Sequence, residues 1–259
     1  MKFPLPLSLA LRDLRGGISK FKIFLSCLVL GVAAIAGIGS VSSSIKSGIT
    51  TDGRVLLGGD IALRLAHRPI SSDKLQWLKA RADVARVTSM RSMANHAAAK
   101  SQMLINLKSV DGLYPLFGDL ELEGGISPKK ALSYHDKAWG AVVEQRIIEQ
   151  LGVKIGDFVT VGAAKFRLNA IIKSEPDRIG GIRAITRGPR FIISAKSLAA
   201  TDLIQPGTQI SYEYRIRLPP TTLLTSFKES LIEKFPAAGW RIRAVSYTHL
   251  RAHETREDR

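Results

Sequence analysis

The feature that most constrains this chain is a long stretch without charge near its N-terminus. Residues 23–45, between Lys22 and Lys46, contain no charged side chain. Their most apolar part, 23–41, is long enough to cross a hydrocarbon core of ~30 Å as an α-helix. Glycine and alanine recur in it, and such small residues let a second helix approach closely. The stretch therefore predicts a transmembrane helix over 23–45.

Two other interpretations of this stretch are open. A cleaved signal peptide would use an Ala34-x-Ala36 site, but 22 residues precede the apolar run and apolar residues continue past the site. A buried helix of a soluble protein would need a polar face, which the stretch lacks. Both alternatives fit the pattern less well than a membrane anchor does.

The charges on either side of the stretch predict its orientation. Residues 1–22 contain Asp13 as their only acidic side chain, and they hold the basic side chains Lys2, Arg12, Arg15, Lys20 and Lys22. The positive-inside rule then places the N-terminus in the cytoplasm and the chain after residue 46 outside it. Leu7, Leu11 and Leu14 repeat at helical spacing, so 1–22 is either an amphipathic helix on the membrane surface or a basic flank.

Residues 46–245 show a mixed pattern of strands and helices. Residues 59–66 alternate as a strand, Ser71 or Ser72 caps a helix that ends near 82, and strands follow at 84–93 and 102–110. The order returns with a strand over 209–218, a helix that starts at Thr221 or Thr222 and buries Phe227, and a strand near 240–244. The repeat predicts one α/β sandwich from 59–110 plus 209–245, with the two helices on the same sheet face.

Residues 112–205 are predicted as a β-rich insert in this sandwich. A helix over 141–151 ends at Gly152, strands follow at 158–161, 165–173 and 191–194, and a short helix lies near 195–202. A glycine- and arginine-rich loop lies between residues 173 and 191. Its basic side chains are Arg178, Arg183, Arg187 and Arg190.

These four arginines are the predicted contact for anionic lipid head groups or for a partner. Anionic lipids attract such segments by about 1 kcal/mol per charge near the surface. The alternative is a solvated loop without a ligand. Nucleic acid is not predicted as a partner, since the domain should lie outside the cytoplasm and aromatic residues do not alternate with the basic ones.

The sequence predicts no enzyme. The single cysteine, Cys27, lies inside the apolar stretch, so a disulfide framework and a cysteine-based metal site are both excluded. No P-loop, nucleophile-elbow or zinc-protease motif occurs, and His67, His96 and His135 are far apart. We therefore predict no catalytic residue, no metal ligand and no cofactor.

The last residues, 246–259, are predicted to be foreign to the native protein. Their sequence, SYTHLRAHETREDR, shows no apolar period and resembles translated adapter sequence at the ends of reading frames assembled from metagenomic reads. We exclude this tail from the fold prediction. His249 and His253, four residues apart within it, are accordingly not treated as a metal site.

Several short motifs occur in an order that resembles a known family. They are 12–17 (RDLRGG), 30–35 (LGVAAI), 56–61 (LLGGDI), 151–157 (LGVKIGD), 175–177 (EPD), 188–190 (GPR) and 205–208 (QPGT). Each is weak alone, but the ordered set resembles the start of FtsX/MacB-type ABC transporter permeases, in particular the YbbP-like branch linked to lysophospholipase biosynthesis.

The resemblance implies a bacterial inner-membrane permease. Its first helix would be followed by a periplasmic domain at 46–245, with a porter-like sandwich and an inserted subdomain, and then by further transmembrane helices. The chain is thus expected to be an N-terminal fragment. Hydrolysis of ATP would belong to a separate cytoplasmic ATPase subunit, and the substrate would be a lipid or another hydrophobic molecule. The alternative is a membrane-anchored periplasmic adaptor without an ATPase.

Overall fold

The computed structural model describes residues 22, 24–33, 53–97, 100–177 and 188–245. The chain divides into two compact units, Met1–Thr51 and Asp52–Arg259. In the first unit, residues 22 and 24–33 are helical, and their apolar side chains are exposed. Within the described residues, no helix is both long and apolar enough to cross a membrane. The rest of the predicted span, the segment 1–21 and the tail 246–259 lie outside these residues.

The second unit is a mixed α/β fold, as the sequence predicts. The strands are β1 (Ile61–Ala66), β2 (Asp83–His96), β3 (Ser101–Val110), β4 (Glu121–Leu122), β5 (Tyr134–His135), β6 (Ala138–Val143), β7 (Phe158–Val161), β8 (Ala164–Ser174), β9 (Arg190–Ser194), β10 (Ile210–Arg217) and β11 (Arg241–Ala244). The helices are α1 (Ser72–Lys79), α2 (Pro128–Ala131), α3 (Gln145–Leu151), α4 (Ala195–Ala200) and α5 (Leu224–Lys234), with further helical turns at 53–57 and at Glu123–Gly125.

The strands form one sheet in the order β11-β1-β10-β2-β3-β9-β6-β8-β4, with β5 beside β6 and β7 beside β2 and β8. The strands β1, β2, β3, β10 and β11 come from the two ends of the unit and are called the terminal strand group. The strands β4–β9 are called the middle strand group. The parallel pairing of β3 with β9 joins the two groups. The predicted subdomain boundaries at 59–110, 112–205 and 209–245 stay a prediction.

The first face of the sheet carries the main hydrophobic core and the helices α1 and α5. Phe227 and Leu231 of α5 and Leu78 of α1 are buried against the strands. The Trp77 ring lies 5.9 Å from the Phe227 ring and 5.4 Å from that of Phe235. The two helices therefore cover the same face, which confirms the prediction.

The second face of the sheet is covered by the connection between β3 and β6. Side chains of this connection and of the strands beneath it form a second core cluster. Its buried members are Val87, Val110, Tyr114, Leu120, Leu122, Ala131, Leu132, Val142, Ala170 and Ile192. Because both faces are covered here, side chains that alternate with the main core are also buried.

Two predicted helix boundaries are wrong. Residues 141–143 belong to β6, which pairs with β8 and β9, and the helix α3 begins only at Gln145. A strand buried on both faces is as continuously apolar as a buried helix, so the pattern does not separate the two. The helix α5 begins at Leu224, after the predicted threonines. The predicted end of α3 is confirmed, because Gly152 adopts φ 64° there.

Candidate functional site: a buried ion cluster

Six polar side chains from distant parts of the sequence meet on the second face of the sheet. We call this group the ion cluster, and its members are Lys108, Tyr114, Glu175, Asp177, Arg190 and Arg215. Lys108 lies on β3, Arg215 on β10 and Arg190 at the start of β9, while Glu175 and Asp177 follow β8. Such a concentration of charge inside a domain requires mutual compensation.

Strand alternation brings the two long cationic side chains of the terminal strand group to this face. Lys108 is paired with Ser89 of β2, and Arg215 is paired with Ala85 of the same strand. Because β2 carries small side chains at these two positions, the lysine and the arginine can approach each other across it. The strand β2 therefore leaves room for the ion cluster.

Lys108 is at the centre of the cluster. Its ammonium group lies 2.6 Å from Glu175 Oε1 and 2.8 Å from Asp177 Oδ2, and it donates to the Tyr114 hydroxyl at 2.7 Å. The Tyr114 hydroxyl in turn donates to Asp177 Oδ1 at 2.5 Å. An ammonium group has three N–H donors, so every donor of this buried lysine has an acceptor.

The two arginines complete the compensation of charge. Arg190 Nε donates to Glu175 Oε2 at 2.9 Å. Arg215 donates through Nη1 to Asp177 and through Nη2 to Glu213 Oε2, the latter at 3.3 Å. The three cations of the cluster thus face three carboxylates, of which Glu213 is shared with the exposed Arg64 at 3.8 Å. Buried charges are tolerated when they are compensated in this way.

Burial and neighbouring charges shift the pKa values of the cluster. Burial lowers the pKa of Lys108 to about 7, against the attraction of Glu175. Burial alone would raise the pKa of Glu175, but Lys108 and Arg190 hold it below its ordinary value. Burial raises the pKa of Tyr114, so its hydroxyl stays protonated and can donate.

Glycines allow the surrounding backbone to approach the cluster closely. Gly58 has φ 71°, and a Cβ atom there would collide with the guanidinium group of Arg215. Gly118 has φ 70°, and a Cβ atom there would lie 2.7 Å from the Cβ atom of Pro176. Pro176 stands between Glu175 and Asp177 in the sequence. The motifs 56–61, 175–177 and 188–190, which are far apart in sequence, therefore meet at the ion cluster.

The structure describes one of the four arginines proposed from sequence. Arg190 lies in the ion cluster with a side chain that is 17% exposed, and it is paired with Glu175. Arg178, Arg183 and Arg187 lie outside the described residues, in a segment that follows Asp177 directly in the sequence. The sequence patterns do not indicate Lys108, Tyr114 or Arg215 as members of a site. A cue for Lys108 was available, since it is the only charged residue of β3.

The chain is similar in sequence to a known protein. The chain is 27% identical over 190 residues to the uncharacterized ABC transporter permease YbbP of Escherichia coli (strain K12). The aligned residues make up 73% of this chain and 22% of the relative. The chain thus spans about a fifth of the length of this relative. No family model matches the chain. The similarity confirms the resemblance to ABC transporter permeases.

Two solved structures are similar in fold at low sequence identity. The periplasmic region of MacB from Actinobacillus actinomycetemcomitans has a TM-score of 0.49 at 12% identity, covering 74% of this chain and 92% of that one. The extracellular domain of the noncanonic ABC-type transporter YknZ from Gram-positive bacteria has a TM-score of 0.49 at 11% identity, covering 71% of this chain and 99% of that one.

Proposed function

We propose that this chain, which is similar to an ABC transporter permease, is the N-terminal part of a permease subunit. The subunit would couple ATP hydrolysis by a separate cytoplasmic ATPase to motion of a periplasmic domain. The observation that carries this proposal is the similarity to the E. coli permease over 73% of the chain. The sequence has no P-loop, which agrees with an ATPase site on another subunit.

The proposed location is the bacterial inner membrane, with the N-terminus in the cytoplasm and the unit after residue 52 in the periplasm. The basic residues of 1–22 support this orientation. The described part of the uncharged stretch, 24–33, is helical, and its apolar side chains are exposed, with Leu30 at 75%. Exposed leucine and valine side chains on every side of a helix suit a lipid environment.

The proposed substrate class is a lipid or another hydrophobic molecule. Arg178, Arg183 and Arg187 would attract anionic head groups, while Arg190 already pairs with Glu175 and would contribute less. The alternative function is a membrane-anchored periplasmic adaptor that binds a partner without an ATPase. The two functions differ in whether an ATPase subunit binds.

Affinity capture tests the permease assignment. The tagged chain 1–245 and the same chain extended by its native downstream coding sequence are each co-expressed with the ATPase encoded beside the gene. We expect the extended protein alone to retain the ATPase. One helix and a basic flank offer little area against the ~1,200–2,000 Å² of a stable interface. Stoichiometric capture by residues 1–245 alone would favour the adaptor.

Binding of a soluble short-chain phosphatidylglycerol tests the lipid contact. The substitutions R178Q, R183Q and R187Q together should weaken binding by the full chain in neutral detergent. The control triple variant K129Q, K130Q and K196Q removes the same charge from exposed positions elsewhere. Phosphatidylcholine should bind both variants alike. Equal loss of phosphatidylglycerol binding in the two triple variants would contradict a contact at the arginines.

A further inference from the structure

The ion pairs of the cluster cross between the two strand groups. Lys108 and Arg215 belong to β3 and β10 of the terminal strand group. Their acceptors, Glu175 and Asp177, follow β8 of the middle strand group. Three of the buried donor–acceptor contacts therefore join residues that no strand pairing connects, since β8 lies beside β6, β7 and β4 rather than beside β3 or β10.

Few backbone interactions join the same two groups within the described residues. The parallel pairing of β3 with β9 runs from Asn106↔Arg190 to Val110↔Ser194, and the pairing of β2 with β7 involves only Ala94 and Asn95. Arg190 begins the first of these pairings and also binds Glu175. The ion cluster thus lies directly on the line along which β3 meets β9.

The energetics of such a cluster favour a role in fixing one arrangement of the two strand groups rather than in adding stability. Desolvation of buried ions opposes their attraction, so a complete cluster adds little net stability compared with apolar residues. Loss of one partner is costly, because the remaining charges stay buried and uncompensated. An interaction of this kind is close to all-or-none, since one missing charge weakens the contacts of all the others.

We propose that the ion cluster is a latch that fixes the middle strand group against the terminal strand group along the β3–β9 pairing. With the latch intact, the sheet behaves as one body. Loss of Lys108 or Asp177 removes these side-chain contacts, so that the groups are joined only by the β3–β9 and β2–β7 pairings and by the core that they share. The latch follows from the described contacts alone and does not depend on the transport function proposed above.

Hydrogen exchange measured by mass spectrometry on the full chain tests the latch. The variants are K108M and D177N, and the control is D83N, which removes the exposed Arg217–Asp83 ion pair inside the terminal strand group. In K108M and D177N, exchange in β9 and in β3 should rise at least about tenfold relative to exchange in β1 and β10. In D83N the ratio between these strands should stay at the wild-type value.

Two outcomes would overturn the latch. Exchange that rises equally in all strands would make the cluster a general part of the core, and unchanged exchange in both variants would show that it holds nothing. If K108M does not fold, the latch is tested with D177N and Y114F. The substitution Y114F removes only the hydroxyl between Lys108 and Asp177. Y114F should shift the same ratio in the same direction by a smaller factor, and its failure to do so counts against the latch.

Discussion

Glu175 shows how a single side chain of the ion cluster ties stability to pH. Its pKa is held below the ordinary value by Lys108 and Arg190, so the folded chain binds a proton there less readily than the unfolded chain does. Its stabilising contribution is therefore present above the ordinary pKa of about 4.5 and is lost as the pH falls below it. The sign follows from linkage between proton binding and folding.

We expect E175Q to differ from the wild type between pH 7 and pH 3, a range that extends below the ordinary pKa of about 4.5 at which the contribution of Glu175 begins to be lost. The free energy of unfolding, measured with urea, should fall more steeply toward acid in the wild type than in E175Q. The control E149Q changes an exposed glutamate and should keep the wild-type slope. Equal slopes in E175Q and the wild type would contradict the role of Glu175.

Gly58 is predicted to be necessary for the position of Arg215. Alanine at Gly58 would be strained at φ 71° and would also collide with the Arg215 guanidinium group. Gly207 is a matched control, because it has φ 89° but no heavy atom within 4 Å of an added Cβ. We expect G58A to lower the free energy of unfolding by about 2–3 kcal/mol and G207A by about 1 kcal/mol. Equal losses would show that contact with Arg215 matters little.

At the scale of elements, the packing of α5 on α1 carries a prediction of its own. Phe227 is 4% exposed and contacts the Trp77 ring. F227A should cost about 3–5 kcal/mol of unfolding free energy, because it leaves a cavity between two helices and the sheet. I232A lies on the same helix at a side chain that is 48% exposed, and it should cost less than about 1 kcal/mol. Similar urea midpoints for the two variants would contradict the packing.

The strands that alternate between a buried and a polar side could be predicted from the sequence. β1, β3 and β10 have one face in the main core, and their period of two follows from that. β6 could not be predicted, because Ala138–Val143 is apolar on both faces and lies between β8 and β9. These residues form a strand because they pair with β8 and β9, which are distant in the sequence.

The ion cluster could be predicted only in part, for a related reason. Lys108 and Arg215 stand at positions that alternate with core residues, so their strands predict exposure to solvent. They are buried because the connection after β3 and the segment after β8 return over this face. Burial thus depends on contacts between distant segments. The motifs at 175–177 and 188–190 contain three members of the cluster, but they do not indicate that Lys108, Tyr114 and Arg215 contact them.

At the scale of the whole second unit, the start and the end of the domain lie side by side. The Val245 N–H donates to the Asp60 carbonyl oxygen at 3.0 Å, and β1 pairs with β11. The chain can therefore enter and leave the domain at one place. The permease proposed above would carry this domain between two membrane helices, and the adjacent ends of the domain support that proposal because both connections can then be short.

The last prediction concerns the orientation of the chain in the membrane. Alkaline phosphatase is active only outside the cytoplasm, and green fluorescent protein exported in the unfolded state fluoresces only inside it. A fluorescent fusion at residue 20 and a phosphatase fusion at residue 60 should both be active. The exchanged fusions should both be silent. The physical reason is the excess of basic residues in 1–22, which resists translocation.

Charge reversal supplies the control for this orientation. Replacing Arg12, Arg15, Lys20 and Lys22 with glutamate should lower phosphatase activity at residue 60, because the basic flank then no longer retains the N-terminus in the cytoplasm. The charge-conserving substitutions R12K, R15K, K20R and K22R at the same four positions should leave activity unchanged. N-terminal sequencing of the membrane fraction separates an anchor from a signal peptide. A mature N-terminus near Gly37 would show cleavage after Ala36 and would contradict a retained helix over 23–45.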